Sequence, residues 1–172
     1  MALSPALRRR LQKVRMVIMD VDGVLTDAGM YYSESGEELK KFNTRDGHGI
    51  TLLHAAGIKT ALVTRERTPI VTRRAAKLGI AEVHQGALDK LPVVRGILDK
   101  HGVAAAEACY IGDDVGDHEV MGYVGFAAAV ADALPEIKKI AHYVTRKKGG
   151  EGAVREVCDL ILEARVDRRR RP

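Results

Sequence analysis

Six short apolar stretches, at 15–20, 59–63, 81–84, 107–111, 125–129 and 142–144, recur along the chain with amphipathic segments between several of them. This rhythm constrains the fold more than any other feature. A strand followed by a helix and a second strand returns parallel to the first by a right-handed crossover. Repeated, it predicts a Rossmann-like α/β architecture, with a mostly parallel sheet and helices on both faces. Helix signals fall where that pattern needs them. "GITLLHAAG" (49–57) closes on Gly57, a C-terminal stop. "TPIVTRRAAKLG" (68–79) offers Thr68 as N-cap, Pro69 in the first turn and Gly79 as stop, and "KLPVVRGILDKHG" (90–102) ends on Gly102. Residues 28–44 break the rhythm. Two short extended runs flank the polar turn "SESGE", so a hairpin is predicted directly after the first strand.

The first strand runs straight into acid. In "VIMDVDGVLTD" (17–27), apolar residues lead to Asp20, with Asp22 two positions later. Open parallel sheets bind ligands at the carboxyl ends of their strands, so what stands at the other ends matters. The 59–63 strand leads to Thr64, and "ACYIGDDVGD" leads to Gly112, Asp113, Asp114 and Asp117. The 81–84 strand is followed by "QGALDK", ending in Lys90. If these groups converge, one lysine cannot balance the acids, and buried unpaired carboxylates are costly. A divalent cation resolves the conflict, and an all-oxygen ligand set favours Mg²⁺. Aspartate is an established nucleophile toward phosphorus. Asp22 is spaced to protonate a leaving alcohol and then deprotonate a water. Thr64 and Lys90 would hold the non-transferred oxygens. The predicted chemistry is metal-assisted phosphomonoester hydrolysis through an aspartyl-phosphate.

Composition narrows the partners. The chain of 172 residues is 46% hydrophobic and 30% charged, suited to one globular domain over 1–172 with its core at about 14–164. The net charge of +5 gathers in "RRRLQKVR" near the start and "RRRR" at 168–171. These are read as solvated, flexible basic ends (1–13 and 165–172), although basic tails can also bind nucleic acid. With two Phe, five Tyr and no Trp, aromatic platforms for single strands are scarce, which argues against a nucleic-acid partner. No apolar run reaches the roughly 18 residues of a membrane span, and no signal-peptide pattern follows the basic start. A cytoplasmic protein with no membrane partner is expected. Cys109 and Cys158 lack metal-ligand spacing and are read as small buried hydrophobes.

"DVDGVLTD", Thr64, Lys90 and "GDDVGD" together resemble the four motifs of the haloacid dehalogenase superfamily of phosphatases. The likeness spans about 14–164. Within the superfamily, "FNTRDGHGI", "QGALDK" and "GGEGAVREV" are similar to the capless branch. That branch acts on 3-deoxy-D-manno-octulosonate 8-phosphate and on related nine-carbon keto-deoxy sugar acid phosphates. The resemblance implies a fold without a large cap domain and an Mg²⁺-dependent phosphatase of a phosphorylated sugar acid. Asp20 is then nucleophile and metal ligand, Asp22 acid/base and metal ligand through its carbonyl, and Asp113 the third ligand. Asp114 and Asp117 lend support, and Thr64 and Lys90 bind phosphate. It further implies a homotetramer, with the 28–44 hairpin at the subunit contact and a neighbouring subunit covering the site. Arg45, Asp46, Glu66 and Arg155 are the substrate contacts it suggests, Asp46 having a helix cap as its alternative role.

Three positions depart from the family pattern. Arg65 stands where Gly follows the motif-two Thr, Gly116 where Asn is common, and His118 where an apolar residue is usual. Glu66 with Lys77 is more like the nine-carbon relatives, where the octulosonate enzymes carry Arg, and leans the substrate that way. The rival readings from other classes are a catalytically idle binding protein and a basic-tailed nucleic-acid-associated protein.

Overall fold

The computed structural model describes residues 3–166. Its elements follow in chain order: α1 (Pro5–Lys13), β1 (Met16–Met19), β2 (Tyr31–Ser33), β3 (Gly36–Leu39), α2 (Thr44–Ala55), β4 (Lys59–Thr64), α3 (Pro69–Leu78), β5 (Glu82–Gln85) and α4 (Lys90–His101). Then come β6 (Ala108–Gly112), α5 (His118–Tyr123), β7 (Phe126–Ala129), α6 (Pro135–Ile140), β8 (Tyr143–Val144) and α7 (Ala153–Arg165).

Six strands form one sheet in the order β5-β4-β1-β6-β7-β8, every pairing parallel. The central strands are buried along their whole length, as expected of strands covered on both faces. Helices α1, α2, α3 and α7 pack among themselves, as do α4, α5 and α6, giving one layer on each face. The order grows outward from β1 in both directions, so β1 borders the switch point where a crevice opens at the carboxyl edge. β2 and β3 form a separate antiparallel hairpin between β1 and α2. No further domain is inserted among the described residues.

Two differences from the expected organisation have physical causes. The basic start was expected to be a flexible end, but 5–13 form a helix capped by Ser4 with Pro5 in its first turn. Leu11 is fully buried, and Arg8 and Gln12 donate to the Ala164 carbonyl of α7. Helix α2 begins at Thr44, five residues before the apolar pattern, because the Asn43 side chain accepts from Arg45 N at 2.8 Å. The "RRRR" run at 168–171 lies outside the described residues.

One loop contact joins distant parts of the chain. Gly150 N donates to Val24 O at 3.0 Å, and Gly149 packs so tightly that a Cβ there would overlap the Gly23 carbonyl. The loop after β1 is thus seated on the segment that precedes α7.

Candidate active site

The strand ends converge. A cavity of about 220 Å³ at the carboxyl edge is lined by Asp20, Asp22, Ala28, Thr64, Arg65, Glu66, Lys90, Asp113, Asp114, Gly116 and Asp117. Six of these are acids and two are bases, so the surplus is strongly negative. Asp20 follows β1, Thr64 closes β4, Asp113 follows β6, and Lys90 begins α4 after β5.

Lys90 is the hub, buried at 3% exposure. Its ammonium lies 2.8 Å from Asp20 Oδ2 and 2.7 Å from Asp117 Oδ1. Asp117 is fully buried and saturated: it also accepts from the Tyr110 hydroxyl at 2.6 Å and from the amides of Asp113 and Asp114. Asp20 Oδ1 accepts from Val21 N at 2.7 Å. Burial works against the charge of Lys90, yet Asp20 and Asp117 hold its pKa above the usual lysine value. Burial, then the Asp117 charge, pushes Asp20 up to about 7 despite Lys90. Burial, then Asp20, Asp117 and Asp114, pushes Asp113 up to about 8.

Those upward shifts mark a deficit of positive charge. Asp20, Asp113 and Asp117 each present an oxygen within 4.8 Å of the others. Asp113 Oδ1 is buried with no hydrogen-bond partner. A hard, oxygen-seeking cation fits this set. Since Asp117 is taken up by Lys90, Tyr110 and two amides, Asp20 and Asp113 are the carboxylates open to the ion. Gly23 makes the arrangement possible: its φ is +82°, and a Cβ there would collide with the Asp113 carboxylate.

The other expected residues stand outside the cluster around Lys90. The Asp22 carboxylate turns from the acid cluster toward Lys40, with Nζ 2.7 Å from Oδ1. Asp46, expected as a substrate contact or as a cap of its own helix, is not that cap, which is Asn43. It is buried at 1% exposure, and its oxygens accept from Gly152 N (3.2 Å) and Arg155 N (2.7 Å), fastening the start of α7 to α2. Arg45 and Arg155 line a different cavity beside α7, where the Arg155 guanidinium meets Asp159 at 2.8 Å. Asp114 accepts from Val115 N and caps a short turn. Glu66 does line the acid cavity. Sequence reasoning passed over Lys40 and Tyr110. Strand alternation out of the hairpin was a usable signal for Lys40; Tyr110 reads as core, with nothing local to mark it.

A larger cavity, about 380 Å³, opens where β4 and β5 begin and includes Glu82. Its chemistry is already neutralised: Glu82 is met by Lys100 at 2.6 Å, His101 at 2.8 Å and His84 at 3.1 Å.

A family model described as haloacid dehalogenase-like hydrolase matches residues 58–157. A 3-deoxy-D-manno-octulosonate 8-phosphate phosphatase of Salmonella typhimurium is 44% identical over 162 residues, 94% of this chain and 86% of the relative. The chain belongs to the haloacid dehalogenase-like hydrolases. The crystal structure of the phosphatase of the same name from Yersinia pestis matches with a TM-score of 0.93 at 46% identity, over 95% of this chain and 88% of that one. A third, from Moraxella catarrhalis, was solved in complex with magnesium ion, phosphate ion and KDO; its TM-score is 0.89 at 38% identity, over 91% and 90% of the two chains.

Two positions of this hydrolase expected to depart from the family pattern are neighbours: the Arg65 side chain passes 3.6–3.8 Å from where a Cβ on Gly116 would sit, an ordinary contact distance.

Proposed function

We propose that this chain is a magnesium-dependent phosphatase that hydrolyses 3-deoxy-D-manno-octulosonate 8-phosphate. The observation that carries the reading is the meeting of Asp20, Asp113 and Lys90 in one strand-end cavity, with Asp113 Oδ1 left unpartnered. The names of the similar phosphatases supply the substrate.

Asp20 and Asp113, with the Asp22 carbonyl, would hold the ion. When bound, it would offset the carboxylate charge and draw electron density from the phosphoryl oxygens. Lys90 and the Thr64 hydroxyl hold phosphoryl oxygens, and Asp117 keeps Lys90 in place. A carboxylate oxygen of Asp20 forms a bond to phosphorus while the ester P–O bond breaks, and Asp22 gives its proton to the departing sugar oxygen. A water oxygen then bonds to phosphorus, the Asp20–phosphorus link breaks, and Asp22 takes the water's proton. Inorganic phosphate leaves and both aspartates are restored.

Self-association as a homotetramer belongs to the same reading. Met30, Tyr31, Tyr32 and Leu39 are exposed on and beside the hairpin, an apolar surface suited to another copy. Arg45 and Arg155, lying outside the acid cavity, would then reach a neighbour's substrate. A cytoplasmic location suits Cys109 and Cys158, both buried free thiols. Among the described residues, no helix is long and apolar enough to cross a membrane.

The test is phosphate release with and without Mg²⁺. Asp20→Asn is expected to lose on the order of 10³-fold or more in kcat, and chelation to abolish turnover. Equal release by wild type and variant ends the assignment. A second reading, a nine-carbon substrate, is favoured by Glu66 on the cavity wall. kcat/KM for both sugar acids side by side decides between them.

A further inference from the structure

Lys40 stands one residue beyond β3, and its side chain is 1% exposed. Alternation along the hairpin sends Leu39 outward, at 62% exposure, and Lys40 inward. A backbone contact determines where inward leads. Thr26 and Phe42 form an isolated antiparallel bridge, which ties the chain just after Lys40 to the loop just after Asp22. The ammonium therefore comes to rest 2.7 Å from Asp22 Oδ1 and 2.9 Å from Glu37 Oε1. Asp22 Oδ2, the other oxygen, is buried and has no hydrogen-bond partner.

A carboxyl group that hands over a proton works best with one oxygen anchored and the other open toward the acceptor, since catalysis depends on a fixed geometry. Asp22 has one oxygen anchored, by Lys40, and the other left without a hydrogen-bond partner on the wall of the acid cavity. We propose that Lys40 is a positioning residue for the reaction: it clamps one oxygen of Asp22 so that the other stays aimed at the leaving oxygen of the ester, and Glu37 fastens the clamp to the hairpin. The proposal rests on the phosphatase reading, with Asp22 as the acid. Lys40 touches no substrate. If it merely balanced two acids, its loss would slow every phosphate ester alike. In the transfer of the phosphoryl group to Asp20, a clamp on the proton donor matters only where the leaving group needs a proton. The later deprotonation of water is common to both kinds of ester, so the comparison is made on kcat/KM, which reports the first half-reaction.

The experiment uses the full chain with Mg²⁺ and two esters. The sugar acid phosphate expels an alkoxide and needs protonation; p-nitrophenyl phosphate expels a stable phenolate and does not. For Lys40→Met, kcat/KM on the sugar phosphate is expected to fall about 100-fold or more, within the range for general acid catalysis. On p-nitrophenyl phosphate kcat/KM should stay within about fivefold, since the acid contributes little to the departure of a phenolate. Lys40→Arg, which restores the cation, should recover most of the loss. Equal losses on the two esters, or no loss on the sugar phosphate, overturn the proposal. If Lys40→Met does not fold, Lys40→Gln carries the same comparison. A wild-type chain that hydrolyses neither ester defeats the phosphatase reading itself, a result distinct from the other two.

Discussion

Asp113 meets Gly23 on one side and has an unpartnered oxygen on the other, and its energetics couple to pH. Unfolded, Asp113 and Asp20 ionise near 3.8; folded and without metal they do so near 8 and 7. A carboxyl group whose pKa is raised by folding favours the fold while protonated and opposes it once ionised. The metal-free protein should therefore lose stability as pH climbs from about 4 to about 8. A cation that binds the ionised pair reverses the loss. At about 100 times its Kd it contributes about 2.7 kcal/mol, or about 5–11 °C in Tm for a chain of this size. Thermal melts at pH 8 should show that rise with Mg²⁺, and melts at pH 5 a much smaller one. Equal rises at both values would contradict the electrostatic account.

At the scale of elements, α7 shows how remote its supports are. Its N-cap, Gly152, has φ +103° and offers no side chain, so Asp46 of α2 accepts from the Gly152 and Arg155 amides instead. Asp46→Ala leaves those donors stranded and should cost about 1–2 kcal/mol, the scale of a lost cap. That lowers Tm by about 2–8 °C, measurable by calorimetry; an unchanged Tm would remove Asp46 from the account of α7. This partnership crosses more than a hundred positions, and no local pattern announces it. The central strands were legible for the opposite reason: burial on both faces makes β1, β6 and β7 continuous apolar runs, and the strand ends displayed Asp20, Thr64, Lys90 and Asp113 in readable order. α5 and α6, six residues each, are too short for a period to emerge. α1 hid its single fully buried residue, Leu11, among arginines. Lys40 hid in a polar hairpin, where a lysine ordinarily faces water.

For the molecule as a whole, the carboxyl edge of the sheet is left open, and the apolar residues beside it project on the hairpin. Tyr32 is 65% exposed, and Leu39, the register partner of the adjacent Tyr31, 62%, unusual for residues of that size on one hairpin of a monomer. Under the proposed tetramer, replacing both, Tyr32→Asp with Leu39→Asp, should shift the sedimenting species toward the single 18.8 kDa chain. The Tm of each subunit's fold should change little, since neither side chain joins the core. An assembly of unchanged mass would move the subunit contact elsewhere.

The packing of Gly149 against the Gly23 carbonyl carries a consequence for biosynthesis. The turn that presents the first two aspartates is braced from outside by a segment made more than 120 residues later. A nascent chain still short of that point already holds the residues of all six sheet strands, yet its catalytic turn has nothing to rest on. Activity should therefore switch on late in translation, and nonsense truncations just before residue 149 should yield a chain with most of its secondary structure and no turnover.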